Sequence, residues 1–348
     1  MIKKNKKLFW KNNLLNENLT VIDAIKCIND NRLKIVLVIN KRNKFIGTIT
    51  DGDIRRALIN KVDLDLPLKK IVKKNSFFVT NKISNEDISK ILLKNKIQQI
   101  PVLNKRKKII DVKYLENQKF KDYENSIVVM AGGKGTRLMP LTKKIPKPML
   151  LIKDRPIIEH ILLSAKDEGF NNFFFTVSYL SNHIKNFFKN GKNWQVKIKY
   201  LFEKKPLGTA GGLKYFQSID KKPIIVCNGD IISNVRFAEL LEFHIRNKAF
   251  VTVATKPHKT TNLYGVVKIK GKRIIGISEK PVNVSNINVG VYVFNPKAFS
   301  FIKKNENLAM DKLIERLIKA SKQVFSYPVY ESWLDIGRKI DFEKAKNQ

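Results

Sequence analysis

The chain has 348 residues, 43% of them hydrophobic, with a formal charge of +38 from 68 basic and 30 acidic residues. That length fits two domains with ordinary cores, and 56 of the basic residues are Lys dispersed from end to end, not a basic stripe with interleaved aromatics, which sets nucleic acid aside as a partner. Cys27 and Cys227 stand alone, no run of 18 apolar residues occurs, and the basic start carries no apolar continuation; neither a disulfide framework nor a membrane span is expected, and the protein is predicted to be cytoplasmic.

In chain order, apolar residues at helical spacing predict a helix over 20–31, followed by buried strands at 35–39 and 45–50 joined by a polar turn, and a helix from Asp51. The pattern recurs with lower fidelity: helix 86–94, strand 100–103, a basic turn, strand 109–112. A repeat of this kind must stack on its twin to bury its faces. The first repeat carries G-T-I-T-D-G-D-I-R-R-A-L at Gly47–Leu58, with a Thr three residues before an Asp. This resembles a tandem CBS (Bateman) module, predicted over 1–115. The resemblance implies a phosphate contact from Thr50 and ribose contacts from Asp53, for an adenine or guanine nucleotide effector, and association as a homodimer or higher oligomer. A simpler reading has Thr50 and Asp51 capping the helix. The second repeat lacks both residues, so at most one such site is expected. The polar stretch 116–125 reads as a linker.

From Ile127 strands and helices alternate: strand 127–130, helix 157–168, strand 172–177, helix 183–188, strand 196–201, helix 211–217, strand 223–227. This predicts a parallel α/β sheet with ligands at the carboxyl ends of its strands, over 126–348. The first strand opens at once into A-G-G-K-G-T-R-L-M-P-L-T, followed by P-K-P-M at Pro146–Met149. Glycines let consecutive amides approach one anion, while Arg137 and Lys147 supply a guanidinium fork and a point charge. Neither the nucleotide-hydrolase loop nor the dinucleotide loop is matched.

The stretch resembles the fingerprint of the sugar nucleotidyltransferases, the NDP-sugar pyrophosphorylases, G-G-x-G-T-R-L-x-P-L-T and P-K-P. The resemblance implies a Rossmann-like, GT-A-like mixed α/β sheet. It also implies nucleotide contacts from Ala131, Gly132, Gly133, Gly135, Thr136, Glu203, Gly208, Thr209 and Gly229. Glu203 heads E-K-K-P-L-G-T-A-G-G, which resembles the loop that reads the base in that family; a carboxylate accepts only, which favours guanine N1–H and N2–H₂ and hence GTP. Asp230 in N-G-D and Asp335 in W-L-D-I-G are implied as Mg²⁺ ligands. Y-G-V, E-K-P and N-V-G-V-Y imply sugar-phosphate contacts from Gly265, Glu279, Lys280 and Asn288, with Val289 standing where the family has a smaller residue.

Such an enzyme needs no protein nucleophile, because the attacking phosphate oxygen is already charged. The resemblance implies Arg137, Lys147 and Asp230 as the catalytic set, acting by position and charge. A CBS pair joined to this transferase resembles guanylyltransferases of bacterial surface sugars, the nearest type being glucosamine 1-phosphate guanylyltransferases of legionaminic acid synthesis. Mannose- or heptose-1-phosphate guanylyltransferases, a UTP-using relative and a non-catalytic nucleotide sensor are the alternatives.

Overall fold

The computed structural model describes residues 9–31, 33–73, 75–95, 97–114, 122–217 and 221–347. The chain divides into two compact units, Met1–Phe120 and Lys121–Gln348.

In the first unit, the helix Val21–Asp30 starts where Thr20 and Asp23 cap one another, Asp23 Oδ2 accepting from the Thr20 N–H at 2.9 Å. Strand Ile35–Ile39 pairs parallel with Leu14–Asn16 and antiparallel with Phe45–Thr50. The second repeat has the same layout. Helix Asn85–Lys94 is capped by Ser84, and Gln99–Leu103 pairs parallel with Val79–Thr80 and antiparallel with Ile109–Tyr114. The two turns meet, Phe45 donating its N–H to Lys107 O at 2.9 Å. The internal duplication read from the sequence is therefore present as two like three-stranded sheets.

The second unit is built on a seven-stranded sheet. Its strands are β1 (Tyr123–Met130), β2 (Phe170–Val177), β3 (Lys197–Phe202), β4 (Ile224–Asn228), β5 (Val251–Thr261), β6 (Val282–Phe294) and β7 (Val324–Pro328), in the spatial order β3-β2-β1-β4-β6-β5-β7. The first four are mutually parallel, as the alternation predicts, but β6 runs antiparallel to both β4 and β5. The sheet is mixed because β5 and β6 join through a hairpin arm, not through a crossover helix. Strand residues alternate between two cores: Ile127, Val129, Phe173 and Phe175 face one, Val128, Phe174, Ile224 and Val226 the other. Both faces are covered, which is why the central strands are unbroken apolar runs.

Three elements differ from their sequence reading. β1 begins at Tyr123, so 123–125 belong to the sheet and not to a linker; residues 116–121 of that linker lie outside the described residues. Gly211–Phe216 forms a 3₁₀ helix in place of an α-helix. Beyond β5 and β6 the arm carries a separate two-stranded ribbon, Val266–Lys270 with Arg273–Ser278. Among the described residues no helix is long and apolar enough to cross a membrane.

Candidate active site

At the carboxyl end of β1 the Ala131 N–H still bonds a neighbouring strand, reaching Thr176 O at 3.0 Å. The chain then leaves the sheet. Among the described residues no acceptor meets the amides of Gly132, Gly133 and Lys134. A run of unpaired backbone donors beside a cleft is suited to phosphate oxygens. Gly135 is left-handed at φ +62°, and a Cβ there would stand 3.0 Å from Lys147 Cβ and Thr142 Cγ2. The glycine thus lets the loop close on the buried stem of Lys147. Thr136 and Arg137 follow on an exposed 3₁₀ turn, Thr136–Leu138.

The loop borders an open cleft of about 340 Å³, whose opposite wall is Leu207, Gly208 and Thr209. That wall is fastened to a segment one hundred residues away. Leu308 N–H donates to Leu207 O at 2.9 Å, Ala210 N–H to Leu308 O at 2.8 Å, and Met310 N–H to Thr209 Oγ1 at 2.8 Å. Gly208 is left-handed at φ +71°, with Leu308 O 2.5 Å from where a Cβ would be. Arg316 braces the same segment, bonding Glu306 at 2.7 Å. Thr209, expected to contact nucleotide, thus uses its hydroxyl as an acceptor for the first turn of helix Met310–Lys319.

Glu203 is buried between the two loops. A Cβ on Gly212 would come within 2.4 Å of its Oε1, and one on Gly132 within 3.5 Å of its Oε2. Burial raises its pKa above the usual carboxylate range, and the Leu207 N–H bonded to it offsets part of that rise.

The carboxylates come together through backbone pairing. Gly229 donates its N–H to Met130 O at 2.9 Å, so close that a Cβ would lie 2.6 Å from that oxygen. Asp230 then emerges ahead of strand Ile231–Ser233, which pairs antiparallel with Trp333–Asp335, Ile231 opposite Asp335. Protein crowded around Asp335 raises its pKa, and the neighbouring Asp230 raises it further, against the pull of Lys147 and Arg137. Two negative groups side by side call for a cation, and the Lys147 ammonium bonds Asp230 Oδ2. Two hard oxygen donors fit Mg²⁺, which is ordinarily held by one or two carboxylates with substrate phosphates and water. Among the described residues no cluster of three or more His, Cys, Asp or Glu forms a complete cage.

The predicted sugar-side residues lie on or near the arm. Gly265, Glu279 and Lys280 are exposed at the ends of the ribbon, and a Cβ on Gly265 would lie 3.1 Å from Glu279 Oε2. None of the three lines the cleft. Asn288 is engaged locally, accepting from Gly290 N–H at 2.9 Å and donating to Tyr292 Oη at 2.7 Å. Val289 turns into the core, while its carbonyl accepts from the Trp333 indole at 2.8 Å. In the first unit Asp53 Oδ2 accepts from Thr50 N–H and Oγ1 at 2.9 and 2.6 Å. Burial opposes ionisation of Asp53, but these bonds, with Lys73 and Arg56, outweigh it and hold the pKa low. The capping reading of Thr50 thus describes the local geometry.

The nucleotidyl transferase family model matches residues 126–348, well over half of the chain, and the CBS domain model matches 11–60. The chain belongs to the nucleotidyl transferase family. Similar proteins include a UTP–glucose-1-phosphate uridylyltransferase of Synechocystis, 30% identical over 63% of this chain and 61% of its own. A mannose-1-phosphate guanyltransferase of Yarrowia lipolytica is 33% identical over 62% and 61%. The chain thus spans about three fifths of the length of these curated relatives. A D-glycero-alpha-D-manno-heptose 1-phosphate guanylyltransferase of Aneurinibacillus thermoaerophilus is 29% identical over 64% of this chain and 96% of its own. Among solved structures, HddC from Yersinia pseudotuberculosis shares the fold at a TM-score of 0.51, covering 64% of this chain and 98% of its own at 24% identity.

Within this nucleotidyl transferase unit, the motif reading missed Lys134, Thr176, Ser178 and Asn228, which line the cleft. Lys134 fills the variable position of the fingerprint, and Asn228 opens the N-G-D motif, so both were visible as neighbours of motif residues. The 306–310 segment carries no local signal, because its role is set by backbone bonds to 207–210.

Proposed function

We propose that the protein transfers a nucleoside monophosphate from an NTP, with GTP favoured, to a sugar 1-phosphate of the hexosamine class, releasing pyrophosphate. The observation that carries this reading is the unpaired amide run of Gly132–Lys134 beside one cleft with Glu203, the 207–209 wall and Asp230. A phosphate oxygen of the sugar 1-phosphate attacks the α-phosphorus in line, the bond to the β-phosphate breaks, and pyrophosphate carries away the charge. The Gly132–Lys134 amides and Arg137 neutralise that leaving group, and Lys147 steers the incoming phosphate. Mg²⁺, when bound to Asp230 and Asp335, would supply further charge neutralisation at the phosphates. Glu203 presents acceptor oxygens to guanine donors. Relatives named for guanylyl transfer to mannose 1-phosphate and heptose 1-phosphate, and for uridylyl transfer to glucose 1-phosphate, define the other arms of the test. At the CBS unit a nucleotide effector would have to displace Lys73 and Arg56 from Asp53.

The test is pyrophosphate release with Mg²⁺ across four NTPs and the 1-phosphates of glucosamine, N-acetylglucosamine, glucose, mannose and heptose. Release with GTP and a hexosamine 1-phosphate is expected. Release only with UTP or only with a neutral hexose would overturn the finer assignment, and silence across the grid from folded protein would overturn the activity.

A further inference from the structure

The Lys147 side chain is placed as few surface lysines are. Its residue lies in the short 3₁₀ turn Lys147–Met149, between Pro146 and Pro148, and is only 9% exposed. Its stem lies against Gly135, where even a methyl would crowd it. Its ammonium ends on Asp230 Oδ2, and its charge also reaches Asp335. The strand pairing brings Asp335 beside Asp230, so the cation that pairs with the first carboxylate also acts on the second through its charge.

We propose that the Lys147 ammonium is the resident cation of the Asp230–Asp335 pair in the nucleotide-free protein, and that it excludes a divalent ion until a nucleotide draws it away. A divalent ion held through Asp230 would have to sit against that carboxylate, a position the ammonium contests sterically and by like charge. A triphosphate brings acceptors enough for both cations. The lysine can then leave the carboxylate for a phosphate oxygen, and the metal enters with the nucleotide and not ahead of it. In this state the lysine offsets the charge of Asp230 and stays bonded to a carboxylate that lines the cleft.

This inference rests on the reading of Asp230 and Asp335 as the metal pair, and its test does not depend on turnover. Mn²⁺ binding to the nucleotide-free full chain is measured from the loss of free-ion EPR signal. Wild type is expected to bind weakly, and Lys147→Met, which keeps the stem and removes the charge, to bind at least tenfold more tightly. Lys147→Arg should behave as wild type, and adding Asp335→Asn to Lys147→Met should abolish the gain. Thermal unfolding confirms that each variant is folded, and Lys147→Gln replaces Met if the apolar terminus prevents folding. Equal Mn²⁺ affinity in wild type and Lys147→Met, or a gain that survives Asp335→Asn, would overturn the proposal. If wild type releases pyrophosphate and the variant gains no Mn²⁺ binding, the inference alone falls. If the gain occurs and no NTP is turned over, the activity reading falls instead.

Discussion

At the scale of single residues, the glycines are the most informative positions because each answers to a measurable approach. Gly208→Ala must hold φ +71° and push against Leu308 O, 2.5 Å from the new Cβ. A strained left-handed residue costs on the order of 1–3 kcal/mol. Since the strain sits in the cleft wall, the KM for NTP should rise tenfold or more, with the KM for sugar 1-phosphate nearly unchanged; steady-state kinetics against each substrate checks this. Arg137→Ala should lower kcat by about 100- to 1000-fold, the scale of losing one donor to a developing charge. A drop under threefold would remove Arg137 from the reaction. The fingerprint made Arg137 legible in the sequence, and the E-K-K-P-L-G-T-A-G-G loop did the same for Gly208. The reasons differ from those the motif carries, since Gly229 is required by Met130 O and Thr209 by a helix terminus, contacts set by backbone packing and not by ligand.

At the scale of elements, apolar runs and turn residues made the parallel half of the sheet legible, because a doubly covered strand shows itself as an unbroken run. The antiparallel return of β6 was not legible. It depends on the arm, whose ribbon exposes Val267, Ile269, Ile274, Ile275 and Ile277, so that its pattern resembles buried strand without being buried. A two-stranded ribbon without a third strand or a helix upon it is marginal by itself. Amide exchange over 262–281 should therefore be near-complete within seconds in the ligand-free protein, while 124–130 and 224–228 stay protected for hours. Exchange read by mass spectrometry distinguishes the two, and protection of the ribbon equal to the central strands would show that its hydrogen bonds open only with the sheet.

For the whole molecule, the pH dependence of stability should turn on one buried histidine. His244 is 2% exposed, bonds Thr252 Oγ1 at 3.0 Å, and burial lowers its pKa to about 4 from 6.5. The unfolded chain takes up a proton as pH falls through about 6.5, and the folded chain only near 4, so acid favours unfolding across that window. The loss amounts to about 2 kcal/mol by pH 5, at 1.36 kcal/mol per unit. Glu168, whose pKa burial raises although the amides of Phe237 and Ala238 and the charge of Arg236 oppose it, acts with the opposite sign, gaining stability as it protonates. Urea unfolding at pH 7 and pH 5 should therefore be compared between wild type and His244→Gln, and the part of the pH slope lost in the variant belongs to the imidazole. An unchanged slope would assign it elsewhere.

The fastening of 207–210 to 306–310 also bears on how such a protein could acquire a new base preference. Neighbouring positions in one bonded network do not vary independently. A library diversified over 204–212 alone would alter one leaf of a two-leaved wall while Leu308 and Met310 still impose the old backbone path. Variation has to be paired across a gap of one hundred residues, so recombination of whole segments should find new specificities where serial point mutation stalls.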